Sequence, residues 1–251
     1  NPEEHIPKVD EEAEGSAPTF EDNPPLNDTA DKTTEPDCGV MDKDTVQSGW
    51  NLKPTGEWVF INSDGTQATG WMSIGIVTYF FDNTGVMATS WKDIDGKRYY
   101  FASNGCLQKG WLNLSGTYYW LDPSTGIMQT GWQTVGEADY HFDTNTGAMA
   151  TGWSYIDNNY YYFASNGNKQ KHWLSLGGNW YWLDPQTGAM QTGWQTIGDI
   201  DYYFGDRFDG VMATSWRDIH GDRYYFASNG YLQKGWLNLS GTYYWLDPST
   251  G

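Results

Sequence analysis

The run Ser90-Trp91-Lys92-Asp93-Ile94-Asp95-Gly96-Lys97-Arg98-Tyr99-Tyr100-Phe101 decides the fold of this chain. Asp95-Gly96 is a dipeptide that tolerates two successive positive φ angles, the requirement of a tight hairpin turn. The residues on either side favour strand, with a Trp opening the first arm and an aromatic triplet closing the second. Two strands of about five residues and two short turns use up about 20 residues. No stretch nearby carries the 3.6-residue apolar period of a helix. A lone hairpin is marginally stable in water, so this one requires neighbours to stack on.

The sequence supplies them. A Trp, usually preceded by Gly, recurs at Trp50, Trp71, Trp91, Trp111, Trp132, Trp153, Trp173, Trp194, Trp216 and Trp236, at intervals of 20 to 22 residues. Each is followed by a turn, an aromatic cluster such as Tyr161-Tyr162-Phe163, Tyr202-Tyr203-Phe204 or Tyr224-Tyr225-Phe226, and a second turn ending in Gly. Gly221 takes the place of Gly96 in the Trp216 unit. Ten such units make a repeat protein. Phe20 is the only aromatic before Trp50, so the array's own rings are its only candidate core.

A longer cycle lies above the first. The Trp91 unit returns at Trp216 as a near copy and more loosely at Trp153. Trp111-Leu-Asn-Leu-Ser-Gly-Thr-Tyr-Tyr-Trp-Leu-Asp-Pro returns at Trp236 and, altered, at Trp173, while Trp132-Gln-Thr-Val-Gly returns at Trp194. The units cycle through three types. This predicts three hairpins per superhelical turn, with recent duplication of a three-unit block as the alternative source of the pattern.

Composition narrows the class. The 251 residues include 15 Trp, 18 Tyr, 10 Phe and 30 Gly, with a formal net charge of -18 and a mean hydropathy of -0.67. A helix bundle would show more Leu, Ala, Glu and Lys. A duplex nucleic-acid binder needs a cationic surface, and no apolar run approaches the roughly 18 to 20 residues that span a bilayer. The first 45 residues differ from the rest, with six prolines and 14 acidic against 3 basic residues. Residues 1–45 read as a disordered acidic linker, and 46–251 as the array, its last unit truncated. Without a starting Met, the chain reads as a fragment of something longer. Cys38 and Cys106 do not make a disulfide framework, and Cys38 reads as an incidental thiol.

Gly-Trp, a Gly-containing turn, an aromatic triplet and then Gly-x-Met-x-Thr-Gly-Trp resembles the cell-wall-binding repeat superfamily. Gly147-Ala148-Met149-Ala150-Thr151-Gly152-Trp153 and Gly188-Ala189-Met190-Gln191-Thr192-Gly193-Trp194 carry the resemblance most fully. The pattern is similar to choline-binding repeats of Gram-positive surface proteins and phage lysins, and to glucan-binding and clostridial toxin repeats. The resemblance implies an all-β solenoid of about ten stacked hairpins, three per left-handed turn. It also implies ligand cages between successive hairpins, each built from the Trp, the first aromatic of the triplet and an aromatic of the next unit. Carried over, Trp153 and Tyr161 would be closed near Trp180 or Tyr181, Trp194 and Tyr202 near Tyr224 or Tyr225, and Trp216 and Tyr224 near Tyr243 or Tyr244. Trp71 with Tyr79, Trp91 with Tyr99, Trp132 with Tyr140, and Trp173 would follow the same rule.

The physical case for such cages stands beside the resemblance. A quaternary ammonium cannot donate a hydrogen bond and is recognised by π faces, at about 0.5 to 2 kcal/mol per contact. Several sites in a row add avidity on a polyvalent polymer. From residue 46 onward the chain holds 11 basic and 18 acidic residues, a balance that favours a cationic ligand. The expected partner is choline on teichoic or lipoteichoic acid. Glucan or another wall glycan is the alternative, because Trp120, Trp182 and Trp245 are extra flat platforms, and a purely structural spacer is the third reading. Met87, Met128, Met149, Met190 and Met212 read as packing rather than ligand contacts. Ser90, His172 and Ser215 replace the Gly before Trp, and Lys169 stands where Met is expected.

No catalytic or metal-binding motif emerges. The four histidines lack partners at metal-ligand spacing, and no nucleophile triad, phosphate loop or nucleotide fingerprint occurs. Asp143-Thr-Asn-Thr-Gly147 reads as a turn rather than the start of a calcium loop. The expectation is a secreted, non-catalytic module at the cell wall or cell surface, with no cofactor, metal, nucleic acid or membrane span.

Overall fold

The computed structural model describes residues 48–206 and 209–251. The acidic linker expected over 1–45, and Cys38 within it, lie outside the described residues. Twenty strands pair as ten two-stranded antiparallel hairpins, from Gly49–Leu52 with Trp58–Ile61 to Gly235–Leu239 with Thr242–Leu246. The described residues contain no helix. They fall into two compact units that divide between Ala150 and Thr151, with five hairpins in each. The expected all-β array of stacked hairpins is what the chain forms.

Turn chemistry sets each hairpin. At Asp95-Gly96, φ is 51° and 73°, and at Ser115-Gly116 it is 53° and 88°. Asp157-Asn158, Gly177-Gly178, His220-Gly221 and Ser240-Gly241 likewise pair two positive angles. Both central residues are left-handed, as in a type I′ turn, whose twist matches that of the strands. The Trp71, Trp132 and Trp194 hairpins differ, because only the first turn residue, Gly75, Gly136 or Gly198, has positive φ, as in type II′. These same three hairpins share one strand-by-strand burial pattern. The threefold cycle read from sequence is thus also a cycle of turn type and burial.

Stacking uses the segment that follows each hairpin. In the first unit the amides of Met87, Leu107, Met128 and Met149 donate to Trp58, Thr78, Arg98 and Tyr118 carbonyls of the preceding hairpin, at 2.8 to 2.9 Å. In the second unit Met190, Met212 and Leu232 donate in the same way to Tyr160, Trp180 and Asp201, at 2.8 to 3.0 Å. The Met side chain then lies under the glycine of the next turn. A Cβ built on Gly105 would sit 2.2 Å from Met87 Sδ, and one on Gly147 2.5 Å from Met128 Sδ. Met190 and Met212 fill the same slot beneath Gly210 and Gly230. At Gly188 the slot holds the aliphatic stem of Lys169, which can cover apolar surface while its head stays in water. The packing role expected of Met87, Met128, Met190 and Met212 is what the structure shows.

The core is narrow. In eight of the ten hairpins the residue closing the second strand, Phe81, Phe101, Leu121, Phe142, Phe163, Leu183, Phe204 or Phe226, is fully buried, and burial of each contributes roughly 1.5 to 3 kcal/mol. Cys106 is also buried, and no cysteine among the described residues is free.

The turns after the triplets are fixed by carboxylates. Asp143 Oδ1 accepts the Asn145 and Thr146 amides and the Thr146 hydroxyl. Asp143-Thr-Asn-Thr-Gly147 is therefore the turn expected from sequence. Asp122 Oδ1 takes four such bonds, from the amides and hydroxyls of Ser124 and Thr125. These bonds, the Ser124 hydroxyl foremost, hold its carboxyl down to about 2.

Candidate ligand cages

Side chains alternate across a strand, so a two-residue turn fixes which ring faces each Trp. With Asp95-Gly96 as the turn, Trp91 stands opposite Tyr100, the middle member of its triplet. The same register sets Trp71 against Phe80, Trp153 against Tyr162, Trp173 against Trp182, Trp194 against Tyr203 and Trp216 against Tyr225. The ring centroids of these pairs lie 5.0 to 5.3 Å apart.

Within each unit, the first member of a triplet points to the other face, towards the preceding hairpin. There it meets the earlier Trp. Tyr99 lies 4.9 Å from Trp71, Tyr119 5.0 Å from Trp91 and Tyr140 4.9 Å from Trp111. In the second unit Tyr181 lies 5.1 Å from Trp153, Tyr202 5.1 Å from Trp173, Tyr224 4.9 Å from Trp194 and Tyr244 5.0 Å from Trp216. Planes cross at 63° to 73°, so each Tyr meets its indole edge to face.

Within each unit, successive hairpins therefore form triads of one Trp, the middle aromatic of its own hairpin and the first aromatic of the next. This moves the pairing by one residue from the expected cages. Tyr79 stands against Trp50, not Trp71. Tyr161, Tyr202 and Tyr224 lie on the opposite face from Trp153, Trp194 and Trp216 of their own hairpins. The expected closing residues Tyr181, Tyr224 and Tyr244 are in place. Tyr243 is paired across the strand with Asn238, is 66% exposed and does not close the Trp216 site. Trp180 stands edge-on to Trp173 of its own hairpin at 6.2 Å. Trp132 lies 5.0 Å from His141, an imidazole where the other hairpins carry Phe, Tyr or Trp.

Exposure separates the roles within a triad. Trp71, Trp153 and Trp194 are 42%, 36% and 39% exposed, an unusual state for indoles that touch the core. The inner tyrosines are more enclosed, and burial raises the phenol pKa of Tyr79, Tyr140, Tyr161 and Tyr202. The Trp71, Trp153 and Trp194 sites thus pair an aromatic floor with an indole rim open to water, while Trp91, Trp111, Trp173 and Trp216 are half-buried. That arrangement offers π faces and few hydrogen-bond partners, which suits a bulky cation without N–H groups. Among the described residues, no three or more His, Cys, Asp or Glu side chains gather as a metal site. No helix there is long and apolar enough to cross a membrane.

Comparison with known proteins agrees with the repeat architecture. Residues 88–130, 150–192 and 213–251 match a family model described as choline-binding repeat. Residues 130–149 and 192–212 match one described as putative cell wall binding repeat, so the matches run unbroken from 88 to 251. The chain is similar in structure to CbpJ from Streptococcus pneumoniae TIGR4, at 28% identity and a TM-score of 0.61, covering 81% of this chain and 86% of that one. It is similar to the choline-binding domain of CbpL from the same species, at 25% identity and a TM-score of 0.52, covering 75% and 98%. It also resembles the modular autolysin LytC of that species, solved with a synthetic peptidoglycan ligand, at 26% identity and a TM-score of 0.54, covering 79% and 46%. No curated protein matches the chain by sequence.

Proposed function

Since the chain belongs to the choline-binding repeat family, we propose that its array holds a secreted protein on a Gram-positive cell wall by capturing choline of teichoic or lipoteichoic acid in the triads. The array is a binding module, and its chemistry is recognition rather than catalysis. One observation carries the reading: the same three-ring contact recurs between successive hairpins within each unit, with the indole rim open at Trp71, Trp153 and Trp194.

The magnitudes fit weak capture at each site. Three π faces at about 0.5 to 2 kcal/mol each must also offset the cost of immobilising the ligand, so each site alone binds no tighter than about the millimolar level. Such sites hold poorly alone. Spaced along one array and facing a polymer that bears many choline groups, they act together through a raised effective concentration. The excess of acidic over basic residues draws the cation.

The test is a titration of the chain followed by Trp fluorescence and near-UV circular dichroism. Choline chloride, tetramethylammonium chloride, sodium chloride and dextran are compared. Saturable change with the two quaternary ammonium salts alone is the expected result. A response to dextran alone would assign the sites to glycan rings, and silence throughout would leave the rings as core only. Trp153→Ala and Trp194→Ala, each removing one rim, should lower the amplitude and leave the remaining transitions in place.

A further inference from the structure

Each triad has a fourth neighbour on the same face of the hairpin. It stands two places before the middle aromatic, opposite the residue two after the Trp. The pairs are Leu52 with Trp58, Ser175 with Trp180 and Asp218 with Arg223. Strand alternation puts this side chain beside the Trp as a diagonal cross-strand neighbour, within reach of a long or aromatic side chain. Trp58 meets Trp50 edge-on at 6.5 Å, and Trp180 meets Trp173 at 6.2 Å. At Trp216 the position holds a cation, with Arg223 Cζ 5.3 Å from the centre of the indole.

Resting on the choline reading, we propose that Arg223 is a built-in competitor at the Trp216 site: its guanidinium takes the indole that a quaternary ammonium would occupy and lowers that site's affinity for choline. Both cations are drawn to the ring quadrupole, and like charges in one cage repel, so choline enters only as Arg223 swings out. Arg223 is free to do so. Its Nε lies 3.6 Å from Asp218 Oδ1, and both side chains are largely exposed, so the ion pair holds little. Arg98 occupies the same position beside Trp91 but is anchored to Asp93 by two bonds of 2.8 and 3.0 Å. The Trp173 site has Trp180 in place of the cation. The fourth position thus sets the order in which sites fill, with Trp173 ahead of Trp216.

The experiment follows the indole N–H signals of Trp173 and Trp216 by NMR during choline chloride titration of the whole chain, at ionic strength held constant with sodium chloride. In Arg223→Gln the Trp216 signal should reach its midpoint at a choline concentration about two- to five-fold lower than in the parent, the size of an exposed cation–π contact. The Trp173 midpoint should not move. The reciprocal Trp180→Arg should raise the Trp173 midpoint and leave Trp216 alone. Equal Trp216 midpoints in parent and Arg223→Gln overturn the competitor and leave choline capture standing. Failure of every indole to respond in any form overturns both.

Discussion

At the scale of single residues, backbone handedness does much of the selecting. The position before each Trp is left-handed, held by Gly in the Trp71, Trp111, Trp132, Trp153, Trp194 and Trp236 hairpins. Ser90, His172 and Ser215 occupy it at φ of 63°, 66° and 62°, where an L-residue is strained by roughly 1 to 2 kcal/mol. A Cβ at the equivalent Gly70, Gly131 or Gly193 would touch nothing within 4 Å, so the strain is in the backbone alone. Ser215→Gly should raise stability by about 0.5 to 1 kcal/mol, once the looser unfolded chain is set against the relief. Urea unfolding measures it. Gly105→Ala combines the same handedness with a clash against Met87 and should cost about 1 to 3 kcal/mol in the same assay. The serines and His172 were legible as departures from Gly-Trp, but their strain required φ. The ring opposite each Trp was also in reach of the sequence, by counting back across Asp95-Gly96 from Trp91 to Tyr100. The first member of the triplet drew attention instead because the family pattern is written from it. Pleating sends that residue to the other face.

At the scale of the hairpin, the turns carry the pH dependence. Asp82, Asp122, Asp143, Asp184 and Asp247 all have carboxyls held below the ordinary value, each by hydrogen bonds from Ser or Thr two or three residues on. A depressed carboxyl binds its proton less readily in the folded turn than in the unfolded chain, so folding is favoured where that carboxyl is ionised. The contribution is complete above about pH 4, near the unfolded value, and for Asp122 is lost as pH falls towards about 2. Melting temperature should therefore drop over this window, and Asp122→Ala should flatten the slope. A thermal melt series in acid checks both. Hairpin existence was legible because two-residue turns announce themselves. The distinction between type I′ and type II′ turns was less so, since Gly-x and x-Gly differ by one position amid 30 glycines. It emerges once φ shows Gly75, Gly136 and Gly198 left-handed without their successors.

At the scale of the molecule, each unit is a stack whose cohesion is spread thinly over many joints. Phe204 is fully buried, packs with Tyr202 and Met212, and lies 5.7 Å from Trp173. Phe204→Ala should cost about 3 to 5 kcal/mol, and in a repeat architecture the loss concentrates in the neighbouring hairpins. Hydrogen exchange should show lost protection around the Trp173 and Trp194 hairpins, with the Trp236 hairpin less affected. The ten-fold repeat made this architecture readable early, because periodicity does not depend on knowing any contact. The joints themselves depend on shape. The sulfur of Met87, Met128, Met190 or Met212 lies where the glycine above it has no room for one carbon more. Peroxide would add to that sulfur an oxygen that is both bulky and polar. Met128 and Met190, the less enclosed pair, should be converted to sulfoxide before Met87 and Met212, and peptide mass mapping would follow the order. Each converted sulfur wedges one joint apart, so an oxidant becomes a slow solvent for the array, loosening it hairpin by hairpin without cutting a peptide bond.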